Sequence, residues 1–105
     1  MLTKPLPNSP IGIFDSGLGG LTVLASLENI FPNESFIYFG DTAHVPYGSK
    51  SADTVIRYCR DIVEFFLTHN TKAVVIACNT ASAVAYQELL KNYNIPLFDV
   101  VGPSI

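Results

Sequence analysis

Charge is scarce in this chain. Only 14% of its 105 residues are Asp, Glu, Lys or Arg, whereas 49% are hydrophobic; soluble domains ordinarily carry about a quarter charged. Some apolar surface is therefore expected to face a partner or a further domain. Positive charge is scarcer still: six Lys and Arg in all, nowhere clustered, within a net charge of −3. That excludes the basic face a nucleic-acid binder needs. Cysteine is limited to Cys59 and Cys78, without metal-site spacing, which argues for a reducing compartment rather than a disulfide scaffold. No apolar run approaches the roughly 20 residues of a membrane span. The first ten residues, MLTKPLPNSP, are Pro-rich and lack the apolar h-region of a signal peptide. These absences predict a cytoplasmic protein without membrane, nucleic-acid or metal partners, opening on a flexible leader over 1–10.

The length suffices for a single packed core, either one domain or a piece of a larger one. The pattern after the leader is regular. PIGIF (10–14), SFIYFG (35–40), KAVVIAC (72–78) and PLFDVV (96–101) are short apolar runs that read as buried strands. LTVLASLENIF (21–31) places Leu21, Leu24, Leu27 and Ile30/Phe31 at the spacing of one helix face. Ser51 can cap a second helix, with Asp53 in its first turn, and Val55, Cys59, Ile62, Val63 and Phe66 share a face there. TASAVAYQELLKNY (80–93) is a third helix, slim in its first turns. Strands alternating with helices predict an α/β domain, a parallel sheet with helices on both faces in the order βαβαβαβ. Strands this apolar are expected to be covered on both sides.

In such sheets ligands bind beyond the carboxyl ends of the strands. That rule singles out DSGLGG (15–20), DTAHVPYGSK (41–50) and the Cys78-Asn79-Thr80 changeover. DSGLGG lacks the G-x-G-x-x-G spacing of a dinucleotide loop and the Gly-Lys-Ser/Thr close of a Walker loop, and no cofactor is expected. Its glycines let backbone N–H groups approach a small anion such as a carboxylate, and Asp15 suits an amine; equally, Asp15 can simply cap the turn. In the second loop Pro46 fixes one dihedral and Gly48 frees another, so Tyr47 either covers a pocket or sits in an ordinary turn. His44 reads as a solvated side chain, and His69 as a partner for the second helix's dipole.

Cys78 is the sharpest feature. A thiol just ahead of a helix N-terminus has its acidity raised, and the thiolate can act as nucleophile or proton acceptor. Asn79 and Thr80 can cap that helix or hold a ligand carboxylate with the free N–H groups. Cys59, on the apolar face of the second helix, reads as core.

Taken together, IGIFDSGLGGLTVL, YFGDTAHVPYGSK and VVIACNTASA resemble the N-terminal half of a glutamate racemase, in the cofactor-independent aspartate/glutamate racemase superfamily. The resemblance runs from Ile11 to about Ile105. It implies one of two pseudo-symmetric α/β domains, 11–105, with the active site between them. It implies Cys78 as one of two acid/base thiols, and substrate contacts from Asp15, Ser16, Tyr47, Gly48, Asn79 and Thr80. His44 departs from an Arg common in the family, and Gly102-Pro103 from a Glu-Pro. The family's second cysteine lies in a Gly-Cys-Thr-His stretch of the other domain, and no such stretch occurs here. The expectation is half of an active site, inactive alone, with glutamate as substrate and a missing C-terminal domain or a homodimer as partner. A racemase of another acid such as aspartate, and a non-catalytic module binding an acidic ligand, are the rival readings.

Overall fold

The four apolar runs pair side by side. In the computed structural model, which describes residues 5–17 and 20–99, the order is β1 (Ile11–Asp15), α1 (Gly20–Ile30), β2 (Phe36–Gly40), α2 (Ala52–Thr68), β3 (Ala73–Ile76), α3 (Asn79–Asn92) and β4 (Leu97–Asp99). Two short 3-10 turns, Thr42–His44 and Tyr47–Ser49, lie within the expected 41–50 loop. The sheet order is β2-β1-β3-β4 and every pair is parallel, which is the predicted α/β class. Val100 onward lies outside the described residues, and with it the end of the expected 96–101 strand.

β1 and β3 are neighbours whose connections run in opposite directions. Right-handed crossovers then put α1 on one face and α2 with α3 on the other. The pleat agrees. Phe14, Val74 and Ile76 join Val55, Cys59 and Phe66 of α2 and Ala81, Ala85 and Leu89 of α3 in one core. Ile11, Phe36, Ala73 and Val75 point the opposite way, toward Leu27 of α1.

α2 forms where its local signals say. The Ser51 hydroxyl accepts the Thr54 N–H at 3.2 Å, Asp53 lies in the first turn, and all five expected face residues are buried. At the other end the His69 Nδ1 lies 3.0 Å from the Phe65 carbonyl oxygen, and Asn70 takes a left-handed φ of 57°, a common way to stop a helix.

α1 forms close to the expected 21–31, but much of its apolar face is open. Leu21, Ile30 and Phe31 are 64%, 63% and 50% exposed, as is Phe98 of β4 at 55%. Side-chain spacing tells which residues share a helix face but not how much sheet one helix can cover. The central strands β1 and β3 are buried nearly throughout, as expected, whereas the outer strands β2 and β4 are only partly covered.

Residues 5–10, expected to be loose, are tied in. The Ser9 N–H donates to the Leu6 carbonyl at 2.9 Å and its hydroxyl accepts the Leu6 N–H at 2.8 Å. The Lys72 N–H donates to the Pro10 carbonyl at 2.9 Å, and its ammonium reaches the Pro7 carbonyl and, at 2.5 Å, Glu34. Residues 1–4 of the expected leader lie outside the described residues.

Candidate functional site

The reversal between β1 and β3 makes the crevice at their carboxyl ends the topological switch point, where open α/β sheets bind ligands. Asp15 closes β1, and Ala77-Cys78 follow β3. The backbone ladder runs on past the strands: the Ala77 N–H donates to the Phe14 carbonyl at 2.8 Å, and the Asp41 N–H to the Asp15 carbonyl at 3.0 Å. These bonds align the roots of all three loops that the sequence singles out.

Cys78 is the N-cap residue of α3, and its carbonyl accepts the Ser82 N–H at 2.9 Å. The N–H groups of Asn79, Thr80 and Ala81 are therefore left outside the helical ladder, as at any helix start. Asn79 and Thr80 belong to the first turn itself, and no side chain caps it from Cys78. The Cys78 side chain is nearly closed off, at 8% exposure, within the core that also holds Tyr47 and Ala81. Ser82 pins the turn to the tip of β4 by donating to Asp99 Oδ1 at 2.6 Å. Cys59 is sealed in the core, as expected. Burial first, then the neighbouring Cys78 and Asp41, pushes its thiol up to about 12.

Asp15 is fully buried. Its Oδ1 accepts both the Gly17 N–H at 2.9 Å and the Tyr38 hydroxyl at 2.7 Å. Its Oδ2 has no partner among the described residues. Gly17 has φ +97°, and a Cβ there would stand 2.5 Å from the Thr42 methyl, so only glycine fits this crossing of the first and second loops. Ser16 is buried beside it. Leu18 and Gly19 of the same loop lie outside the described residues.

Tyr47 is not an open cover. Its ring is 2% exposed within the core, and its hydroxyl donates to Asp41 Oδ2 at 2.6 Å. Burial, then Asp41, raises the phenol far above the ordinary tyrosine range. What this loop offers outward is backbone: Gly48 is exposed, with nothing within 4 Å of where a Cβ would be. His44 is more than a solvated side chain. Its Nδ1 lies 2.8 Å from both Asp41 oxygens, and its ring stacks on Tyr58 at 3.8 Å.

Sequence reasoning missed Asp41 and Tyr38. The available signal was a carboxylate directly after an apolar strand, with tyrosines at positions 38 and 47 on either side of it. A polar groove of about 680 Å³ lies elsewhere, between Arg57, Arg60 and Glu64 of α2 and Glu88 of α3, and includes no member of the three loops. Among the described residues no three His, Cys, Asp or Glu side chains gather as a metal site, and no helix is long and apolar enough to cross a membrane.

No family model matches the chain. Individual proteins do. It is 51% identical over 98 residues to the glutamate racemase of Thermus thermophilus, covering 93% of this chain and 38% of that protein. The crystal structure of the Thermus thermophilus glutamate racemase in complex with β-chloro-D-alanine superposes with a TM-score of 0.85 at 52% identity, over 90% of this chain and 37% of that one. Over nearly its whole length the chain is similar to one part of members of the glutamate racemase family. A more distant member, the Escherichia coli glutamate racemase in complex with L-glutamate and the activator UDP-MurNAc-Ala, still superposes with a TM-score of 0.80 at 33% identity, over 87% of this chain and 35% of that one. The chain thus spans rather more than a third of the length of the glutamate racemases it matches.

Proposed function

We propose that this chain supplies one half of a glutamate racemase active site, with Cys78 as one of two acid/base thiols that exchange the α-proton of glutamate. Racemisation takes the proton from one face of the carbon and returns it on the other, so two groups on opposite sides are required. Cys78 serves one face, and a second thiol on a further domain serves the other. With no cofactor in this reading, the transient carbanion is stabilised by fixed hydrogen-bond donors and charge. The free N–H groups of Asn79 and Thr80 and the backbone of Tyr47 and Gly48 offer donors to substrate carboxylates. Asp15 and Ser16 face the ammonium side. The product, D-glutamate, would feed peptidoglycan synthesis in the cytoplasm.

The observation that carries this reading is the shared edge: DSG, PYG and CNT are rooted on adjacent strands, with the sulfur at the changeover from β3 to α3. The test is a two-domain enzyme in which residues 11–99 of this chain replace the matching segment of the Thermus thermophilus relative. Racemisation of glutamate is expected, with aspartate turned over far more slowly. Cys78→Ser should lower the rate by at least about a hundredfold, and an unchanged rate would remove the assignment. The 105-residue chain alone should show no useful turnover; robust racemisation by it would show that half a site is enough.

A further inference from the structure

Tyr38 belongs to none of the three loops, yet it reaches the first of them. β2 pairs with β1 so that Tyr38 lies beside Ile13 and Gly40 beside Asp15. Residues two apart on a strand share a face, so Tyr38 and Asp15 project to the same side. The Tyr38 hydroxyl donates to Asp15 Oδ1 at 2.7 Å. It does so across the space that Gly40 leaves open, where a Cβ would stand 2.6 Å from the hydroxyl oxygen. Gly17 donates to the same Oδ1, and Oδ2 is left without a partner among the described residues.

Two donors on one oxygen fix the rotation of a carboxylate. The other oxygen is then held in place but unused, and a buried acceptor in that state favours an incoming donor. We infer that Tyr38 is a positioning residue: it orients Asp15 through Oδ1 so that Oδ2 stays open to the ammonium of the amino-acid ligand, and Gly40 is present to make room for it. The inference rests on the reading that Asp15 contacts substrate.

The two claims separate in one set of variants of the two-domain enzyme described above. Tyr38→Phe keeps the ring and removes the donor. Gly40→Ala keeps the donor but pushes it aside, at little structural cost because the clash falls on the free end of the side chain. Each should raise KM for glutamate about tenfold, the loss expected for one hydrogen bond to a charged group, with kcat and melting temperature little changed. The double variant should be no worse than Tyr38→Phe alone. A Tyr38 that only packs would lower melting temperature and leave KM unmoved. If Asp15→Asn raises KM while Tyr38→Phe does not, the positioning role is wrong and the substrate reading stands. If Asp15→Asn is itself silent, the reading falls and takes the inference with it.

A second measurement needs no activity. Burial and Asp15 raise the Tyr38 phenol to about 12. In the chain itself, ¹³Cζ NMR of tyrosine should show that midpoint drop in Gly40→Ala. An unmoved midpoint would mean that Gly40 does not guard the contact.

Discussion

On one face of the sheet, α2 and α3 press Val55, Cys59, Phe66, Ala81 and Leu89 onto Phe14, Val74 and Ile76, and all of these side chains are shut off from water. On the other face α1, the one helix there among the described residues, packs on β1 and β2, and Leu21, Ile30 and Phe98 remain more than half exposed. Full burial of such a side chain stabilises by roughly 1.5–3 kcal/mol. The first face therefore carries most of the folding free energy of this chain, and the second withholds much of what its composition could contribute. Hydrophobicity alone does not stabilise; it needs a neighbour. The candidate site sits at the carboxyl edge between the two faces and draws on both, Cys78 and Tyr47 from the sealed side and Asp15 and Tyr38 from the open one.

The comparison can be broken most directly at Phe66, which packs on Phe14 with ring centroids 6.3 Å apart. Phe66→Ala should cost about 3–5 kcal/mol, enough to leave a domain of this size largely unfolded, as read by urea denaturation. A midpoint close to wild type would mean that the sealed face does not dominate.

Alkaline pH attacks the same face. Cys59 ionises near 9 when unfolded and at about 12 when folded, so the unfolded chain sheds its proton first. The stability this burial represents is intact below pH 9 and is lost as pH rises toward 12. Melting temperature should fall across that window, and less steeply in Cys59→Ala when each protein is compared with its own value at pH 7.

Gly12 tests tightness rather than loss. A Cβ there would stand 2.7 Å from the Phe66 ring, and Gly12→Ala should cost about 1–3 kcal/mol by overpacking. The smallest effect belongs to the open face: Leu21→Ser or Phe98→Ser should shift stability by no more than about 0.5 kcal/mol. A large loss at either position would show that this face is sealed in solution.

The parts legible in the sequence are those decided locally. Ser51, Asp53 and the periodic face of α2 announce that helix, and its five core residues follow from spacing alone. The changeover at Cys78 is equally plain, because a β-branched run gives way to small helix formers within three residues. The extent of α1 is legible too, but not its exposure: what covers Leu21 and Ile30 depends on how many helices lie on one side of the sheet, a property of topology rather than of any window of residues. The turn at Tyr47 is legible, but a Pro-Tyr-Gly turn does not disclose where its phenol points; the answer is a carboxylate six residues earlier. Tyr38 looked like one more aromatic in a strand. Its contact with Asp15 depends on the register of β2 against β1, which becomes visible only when Gly40 is seen opposite Asp15. Lys72, far from Pro7 and Glu34 in the chain, closes the amino end of the sheet by the same kind of long-range contact.

Asp15 and Cys78 are separated by more than sixty positions in the sequence, yet they stand at the ends of two adjacent strands joined by backbone pairing from Ile11↔Ala73 to Phe14↔Ile76. Their spacing is therefore set by rungs of main chain, not by the segments that wander between them. Mutational drift in the loops can reshape what enters the crevice while the carboxylate and the sulfur hold station. Reshaping the crevice and preserving the spacing of this carboxylate and this sulfur are, in this architecture, separate evolutionary problems.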